Sequence, residues 1–188
     1  LRELPVVILE REFGRPGRQL WNKANAIDPS EVIPYTEQKS LSKEHTFPED
    51  TLDLRFIRNK IIAMIDDLAF ELRQKKQLTG EVAVKIRYAD FNTFTRLKKI
   101  NYTANNRILI DQVSQLFEKL YQRRQLIRLI GVRFGKLIHG SDQISLFDDT
   151  ERDIDLLNQL DKIKEKWGMD AIHRASSLKT PIKRNIPI

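Results

Sequence analysis

Residues 81–102 contain two strand-like segments joined by only two residues, and this feature constrains the fold more than any other in the chain. In "EVAVKIRYADF" at 81–91, apolar side chains alternate with charged ones, which is the period of a strand with one buried face. The segment "FTRLKKINY" at 94–102 follows directly after a two-residue turn, and a connection this short allows only antiparallel pairing. The side predicted to be buried carries Val82, Val84, Ile86 and Tyr88, and the other carries Lys85 and Arg87.

Two further segments with a period of two lie on either side of this hairpin. The first, "EQKSLSKEHTF" at 37–47, is predicted to be a strand with one small polar face. The last, "IRLIGVRFGKLI" at 127–138, is predicted to be a strand with one apolar face and one face rich in glycine. The two faces of the first are Ser40, Ser42, Glu44, Thr46 and Leu41, Lys43, His45, Phe47; those of the last are Ile130, Val132, Phe134 and Leu129, Gly131, Arg133, Gly135.

Helical periodicity fills the gaps between these strands. Pro48-Glu49-Asp50 predicts the start of a long helix that runs to about Lys76, with Thr79-Gly80 as its stop. Asn105 or Asn106 is expected to cap a second helix over about 107–124. The apolar stripe of the first helix is Ile57, Ile61, Ile65, Leu68 and Leu72, and that of the second is Val113, Leu116, Phe117, Leu120 and Tyr121.

The resulting order, β-α-β-β-α-β, predicts an α+β fold in which two helices cover one face of a four-stranded, antiparallel-type sheet. This domain is expected to span 37–140. Residues 1–36 are predicted to form two short helices around a "GRPG" turn at 14–17. Residues 141–188 are predicted to be a tail with one more helix at 150–167, which ends at Gly168.

The charge of the chain is uneven along its length. The net charge is +7, yet residues 1–140 carry 25 Lys and Arg against 17 Asp and Glu, while residues 141–188 carry 8 against 9. A basic body favours a polyanionic partner such as nucleic acid, although ordinary solubility alone would also explain it. Part of this positive charge is predicted to lie on the sheet face that the helices leave uncovered. That face is predicted to carry Ser40, Ser42, Lys85, Arg87 and Arg133, and Gly131 and Gly135 are expected to make it flat.

The sequence offers no catalytic or metal-binding constellation. Cysteine is absent, and His45, His139 and His173 lack the spacing of metal ligands. The acidic pairs Glu49-Asp50, Asp66-Asp67 and Asp148-Asp149 are explained by a helix start, a solvated helix face and the tail, respectively. No Gly-rich phosphate loop and no apolar run long enough to span a membrane is present.

RNA-recognition modules share this order of strands and helices, but they stack bases on aromatic residues of the open sheet face. Here Phe134 is predicted on the apolar side and Arg133 on the open side. This arrangement favours contact with a nucleic-acid backbone, independent of sequence, over the stacking of bases.

Several stretches together resemble the C-terminal part of Y-family translesion DNA polymerases of the DNA polymerase IV type. They are "KSLSKEHTF" at 39–47, "VKIRYADFNTFTR" at 84–96 and "IRLIGVRFGKL" at 127–137; "FGRPGRQLWNKANAID" at 13–28 resembles the end of the family's thumb. The family has Gly where this chain has Ala26, and Asn25 is expected to supply the left-handed conformation that a helix end needs there.

The resemblance implies a little finger domain that grips the backbone of primer-template DNA in the major groove. The residues that it carries over onto DNA phosphates are Ser40, Ser42, Lys43, Thr95, Arg96, Arg128 and Arg133. Lys85 and Arg87 are added because they are predicted to lie on the uncovered face of the sheet. The complete set of predicted DNA-binding residues is Ser40, Ser42, Lys43, Lys85, Arg87, Thr95, Arg96, Arg128 and Arg133.

The stretch "QISLF" at 143–147 resembles the bacterial sliding-clamp binding motif. Leu146 and Phe147 are expected to fill an apolar pocket of the clamp, with Gln143 at its rim and Ile144 where the family commonly has Leu. Such a short peptide gains affinity from tethering, because clamp and little finger hold the same DNA. The alternative is that Leu146 and Phe147 pack against the protein's own sheet edge.

The resemblance also implies that the metal-binding carboxylates, their Mg²⁺ and the nucleotide pocket belong to palm and fingers that precede the thumb. The chain begins at Leu1 rather than Met, so we expect a fragment of a bacterial, cytoplasmic polymerase that is inactive alone and holds no cofactor. Its expected partners are primer-template DNA and the clamp, with no membrane and no small-molecule substrate. The rival hypothesis is a non-catalytic adaptor that binds nucleic acid or protein with the same sheet face.

Overall fold

The computed structural model describes residues 1–32, 38–140 and 150–175, with the backbone alone at 150 and 151. The chain divides into two compact units, Leu1–Glu37 and Gln38–Ile188.

The first unit contains two short helices, α1 (Val6–Phe13) and α2 (Arg15–Ala24), separated by Gly14 alone. The predicted "GRPG" turn is therefore too long, because Pro16 is compatible with the first turn of a helix. Gly17 also lies inside α2, where a Cβ atom would stand 2.0 Å from the carbonyl oxygen of Leu9. Glycine thus permits the two helices to approach each other closely.

The end of α2 corrects a second prediction. Ala26, and not Asn25, adopts the left-handed conformation, with φ at 61°. The amides of Ala26 and Ile27 donate to the carbonyl oxygens of Lys23 and Asn22 at 3.1 and 2.9 Å. These two hydrogen bonds close the helix in the manner of a Schellman motif, which places the left-handed residue one position beyond Asn25.

The second unit confirms the α+β class and the β-α-β-β-α-β order. Its strands are β1 (Ser40–Thr51), β2 (Gln77–Tyr88), β3 (Thr93–Thr103) and β4 (Ile127–His139); its helices are α3 (Leu54–Gln74), α4 (Asn106–Leu120) and α5 (Thr150–Trp167), with a short 3₁₀ turn at Met169–Ala171. The four strands form one sheet in the order β1-β4-β2-β3, and every neighbouring pair is antiparallel.

The core lies between the sheet and the two helices α3 and α4. The alternating apolar residues of β2 and β4 meet the apolar stripes of both helices, as their periods predict. Burial of this one face leaves the other face of the sheet without a helical cover from α3 or α4. The side chains with almost no exposure include Ile57, Ile65, Leu68, Leu72, Val82, Val84, Ile86, Leu109, Val113, Ile130, Val132 and Phe134.

The predicted helix start at Pro48-Glu49-Asp50 is wrong, because these residues belong to β1. Proline is tolerated there because β1 is an edge strand, and Pro48 lies in the irregular stretch of its pairing with β4 between Thr46 and Thr51. The true cap of α3 is Asp53, whose carboxylate accepts a hydrogen bond from the amide of Phe56 at 3.0 Å.

Thr79-Gly80 is not a helix stop either, since both residues lie within β2. The helix ends at Gln74, and the chain reverses through Lys76, which has a φ of 50°. For α4, Asn105 is the cap: its side-chain oxygen accepts a hydrogen bond from the amide of Arg107 at 2.8 Å.

Helix α5 is held against α3 and the start of α4 by a buried network around Arg73. Its Nε and Nη2 donate to the two carboxylate oxygens of Asp161 at 2.6 and 2.8 Å. Its Nη1 donates to the carbonyl of Ala104 at 2.8 Å and to Asn106 Oδ1 at 2.5 Å. Leu157, one turn before Asp161, is buried as well.

Asp66 extends this network, so its interpretation as a solvated helix residue is wrong. Its side chain is buried, and Oδ1 accepts from Asn106 Nδ2 at 2.5 Å and from Arg174 Nε at 3.0 Å. The part of the chain that follows α5 is therefore tied to α3 as well.

Candidate nucleic-acid interface

The register of the sheet arranges the face opposite α3 and α4 into four cross-strand rows. We call this surface the open face. One residue from each strand contributes to every row, in the order β1, β4, β2, β3. The rows are Ser40–Gly135–Glu81–Lys99, Ser42–Arg133–Ala83–Leu97, Glu44–Gly131–Lys85–Thr95 and Thr46–Leu129–Arg87–Thr93.

The glycines of β4 make room for ion pairs that cross the open face. Lys85 Nζ lies 2.6 Å from Glu44 Oε1, and this pair bridges the position of Gly131. A Cβ atom at Gly131 would stand 3.0 Å from Glu44 Cγ and 3.4 Å from Lys85 Cβ. The glycine therefore does more than flatten the surface, because it lets a cation and a carboxylate from the two flanking strands meet above it.

Arg133 has a similar partner on the same face. Its Nη2 lies 3.1 Å from Glu81 Oε1, and the arginine side chain is 50% exposed. Ion pairs that water reaches contribute only about 0–1 kcal/mol, so they orient these cations without locking them away from a competing anion. A guanidinium also offers five N–H donors in total, more than one carboxylate oxygen can occupy.

Arg87 completes the set of predicted open-face cations. Its Nε donates to Thr93 Oγ1 at 2.9 Å, which orients the side chain along the row. Lys99 is an exposed cation on the same face that the sequence analysis missed, although the alternation within "FTRLKKINY" contains the signal. The open face thus brings together Ser40, Ser42, Lys85, Arg87, Thr95 and Arg133 of the predicted DNA-binding residues.

Lys43 and Arg96 lie on the other side of the sheet, at its two edges. Lys43 pairs with buried Val132, and its Nζ lies 2.7 Å from Asp67 Oδ2 on α3. Arg96 pairs with buried Val84, and its Nη1 donates to the carbonyl of Lys119 on α4 at 2.8 Å. Both side chains are exposed at the rim, but neither is part of the open face.

Arg128 occupies a bulge in β4. Consecutive residues of β2 pair first with Leu129 and then with Ile127, so Arg128 is skipped by its neighbour strand. A bulge of this kind redirects the side chain of the extra residue. The guanidinium of Arg128 lies 3.7 Å from Asp50 Oδ1 on β1 and 4.7 Å from the centre of the Phe91 ring.

The turn between β2 and β3 is tightly hydrogen-bonded. The amide and side-chain nitrogens of Asn92 donate to the two carboxylate oxygens of Asp90 at 3.0 and 2.8 Å. These hydrogen bonds hold the pKa of Asp90 below its ordinary value, since they stabilise the ionised carboxylate.

The predicted clamp-binding residues Gln143, Ile144, Leu146 and Phe147 lie outside the residues that the structure describes. Within residues 1–32, 38–140 and 150–175, no group of three or more His, Cys, Asp or Glu could hold a metal ion. None of the described helices combines the length and the apolar character that a membrane crossing requires.

Comparison with known proteins adds a family to this geometry. Residues 38–146 match the impB/mucB/samB family C-terminal domain. A protein named DNA polymerase IV from Clostridium acetobutylicum is 33% identical over 181 residues, which is 93% of this chain and 45% of that protein. A protein of the same name from Dehalococcoides mccartyi is 32% identical over 174 residues, which is 92% of this chain and 45% of that protein. Another, from Streptococcus pneumoniae serotype 4, is 33% identical over 133 residues, which is 70% of this chain and 38% of that protein.

The chain spans less than half the length of these curated relatives. The matched region begins two residues before β1 and ends beyond β4, so it contains the whole sheet, α3 and α4.

Proposed function

The chain belongs to the impB/mucB/samB family through the C-terminal domain that residues 38–146 match, and from this membership we propose that it is the DNA-gripping part of an error-prone, lesion-bypassing DNA polymerase. The family resemblance of "KSLSKEHTF", "VKIRYADFNTFTR" and "IRLIGVRFGKL" is confirmed by that match. The activity of the whole protein, its substrates and its partners belong to the proposal.

The observation that carries the proposal is the open face itself. Lys85, Arg87, Arg133 and Lys99 project from a sheet surface that α3 and α4 leave uncovered. Cations spaced along neighbouring strands suit the phosphates of a duplex, which carry one negative charge per about 1.7 Å of helix axis. Hydroxyl groups of Ser40, Ser42 and Thr95 add hydrogen-bond donors of the kind that contact phosphate oxygens without reading bases.

The chemistry of nucleotide transfer is assigned to the remainder of such a polymerase. Relatives named DNA polymerase IV are more than twice as long as the region that they share with this chain. The carboxylates that bind Mg²⁺ belong to that remainder, and this chain contributes the grip on the primer-template backbone. A protein with this role works on chromosomal DNA in the bacterial cytoplasm during the response to DNA damage.

A direct test is the NMR mapping of a short, blunt DNA duplex onto this chain. We expect the amide shifts of β2, β3 and β4 at the open-face residues to change on addition of DNA, because those side chains contact the phosphates. Amides of the central turns of α3 should stay in place and serve as the internal control. Shifts that concentrate on α3 and α4 instead would rule out the open face as the DNA surface.

The second part of the proposal concerns the sliding clamp. The support is sequence alone: Gln143, Leu146 and Phe147 have the spacing of a clamp-binding peptide, and they follow the DNA-binding domain directly. Leu146→Ala with Phe147→Ala should abolish capture of purified bacterial clamp and leave DNA affinity unchanged.

A matched control for that variant is Leu156→Ala with Ile163→Ala, which removes two exposed apolar side chains from α5. This control should bind the clamp as the native chain does. Equal clamp binding by the Leu146/Phe147 variant and the native chain would refute the clamp proposal without touching the DNA proposal.

A further inference from the structure

Phe91 is an exposed aromatic residue in an unfavourable backbone conformation. Its side chain is 64% exposed, and its φ is 62°, in the left-handed region that residues other than glycine, asparagine and aspartate seldom adopt. Folding gains little from burying this ring, and the backbone conformation itself costs free energy. An exposed ring on a left-handed backbone suggests that Phe91 makes a contact that offsets these two costs.

The surrounding turn holds Phe91 in this conformation. The amide of Phe91 donates to the carbonyl of Tyr88 at 3.0 Å, and the amide of Tyr88 donates to the carbonyl of Asn92 at 3.0 Å. Asp90 fixes the turn from the other side by accepting two hydrogen bonds from Asn92. These bonds determine the direction in which the ring of Phe91 leaves the turn.

The ring is directed at Arg128. The guanidinium carbon lies 4.7 Å from the centre of the Phe91 ring, within the range of a cation–π contact. Asp50 lies 3.7 Å from Nη1 of the same guanidinium. A planar guanidinium can stack on an aromatic ring with its face while its edge still donates to phosphate. Arg128 is also the residue that the β4 bulge leaves without a partner on β2.

We propose that Phe91 is a positioning residue, which stacks on Arg128 and pre-orients its guanidinium for a phosphate of the DNA backbone. This inference rests on the proposed DNA-binding function and deepens it by assigning a role to the turn between β2 and β3. The stack restricts a long, flexible side chain before DNA arrives, so less conformational freedom is lost on binding.

The test is duplex DNA binding by fluorescence anisotropy with the native chain and with five variants. Phe91→Gly removes the ring and suits the left-handed backbone, so it should not unfold the turn. Phe91→Leu retains apolar bulk without an aromatic face, and Phe91→Tyr retains the face. Arg128→Ala, alone and combined with Phe91→Gly, measures whether the two residues act together.

We expect Phe91→Gly and Phe91→Leu to bind DNA about two- to fivefold more weakly, the range that corresponds to a cation–π contact at an exposed site. Phe91→Tyr should bind as the native chain does. The double variant should bind no more weakly than Arg128→Ala alone, because the ring acts only through the arginine. In the free native chain, NMR should show Arg128 Hδ resonances shifted by the ring current, and Phe91→Leu should abolish that shift.

Three other results would reject either the positioning role of Phe91 or the DNA-binding function. Native affinity in Phe91→Gly and Phe91→Leu, with Arg128→Ala impaired, would reject the positioning role and leave the DNA-binding function in place. Further loss in the double variant relative to Arg128→Ala would mean that Phe91 contacts DNA itself. Undetectable DNA binding by the native chain would reject the proposed function, and the role of Phe91 in it would be rejected too.

Discussion

The ring of Tyr102 lies directly against the backbone of Gly80. A Cβ atom at Gly80 would stand 2.6 Å from Cε1 and 2.8 Å from Cζ of this ring. The contact crosses from β2 to β3 at the point where their pairing is irregular, between Thr79 and Glu81. Here glycine serves close packing of an aromatic ring on a strand, in contrast to the helix stop that the sequence suggested.

Gly80→Ala should therefore destabilise the domain by about 1 kcal/mol, the low end of the cost of extra volume in a packed site, because the Tyr102 ring that must shift is 45% exposed and can move toward solvent. Urea denaturation of the full chain would measure it. Gly140→Ala is the matched control, because its Cβ would meet Leu78 Cδ1 at an ordinary 3.7 Å. If Gly80→Ala were as stable as Gly140→Ala, the ring would have to move aside without cost. Tyr102→Ala in the Gly80→Ala background should recover part of the loss.

Ala26 is strained at the end of α2, with φ at 61°. Glycine has no Cβ and adopts this conformation readily, so Ala26→Gly should stabilise the helix end by about 0.5–1 kcal/mol. Slower hydrogen exchange of the Ile27 amide, which donates to Asn22, would report the gain. Ala24→Gly, inside the helix, should accelerate that exchange. Equal acceleration by both variants would contradict the role of the left-handed residue.

At the scale of elements, strands and helices differ in how well the sequence locates them. Strong alternation within 81–91 identifies β2 and both of its faces, because one side is completely buried. The boundary of β1 fails because Pro48-Glu49-Asp50 has the composition of a helix start. Only its position on an edge strand, opposite a bulge, makes those residues compatible with a sheet. Local sequence contains no information about which strand will be at the edge.

In the candidate site, the sequence predicts the face that a side chain occupies but not the partner that it meets on the neighbouring strand. Alternation assigns Lys85, Arg87 and Arg133 to the open face, and the register places them there. The carboxylates of Glu44 and Glu81 pair with these cations across strands, and that pairing depends on a register that the sequence does not reveal. The family resemblance predicts Lys43 and Arg96 as DNA-binding residues from their motifs, which carry no information about the face of the sheet. The structure places both on the helix side, where they contact α3 and α4.

Attachment of α5 depends on the ion pair of Arg73, which is 14% exposed, with buried Asp161. Asp161→Asn removes one charge and leaves the partly buried guanidinium without its counter-ion, which should cost about 3 kcal/mol. We expect faster hydrogen exchange in α5 while the sheet remains protected, because the network lies outside the core between sheet and helices. Asp155→Asn, at an exposed position of the same helix, is the control and should exchange as the native chain does. Unchanged protection in Asp161→Asn would show that other contacts hold the helix.

At the scale of the whole domain, the described residues place the attachment of α5 and the open face on opposite sides of the sheet. Helices α3 and α4 cover one face of the sheet, and α5 attaches to them through Arg73 and Asp66. The contacts of α5 are therefore made with the helical layer and not with the open face. This attachment keeps α5 itself off the cations of the open face.

Binding of the DNA backbone by the open face is tested by a salt series of duplex binding measured by fluorescence anisotropy. The native chain should lose affinity steeply with salt, with a log–log slope of about −0.9 per phosphate contacted. Arg133→Ala should reduce the magnitude of that slope by about one unit, whereas Arg107→Ala, an exposed cation on α4, should leave it unchanged. Affinity indifferent to salt, or equal slopes for native chain and Arg133→Ala, would contradict the claim and favour an adaptor that binds another partner with this face.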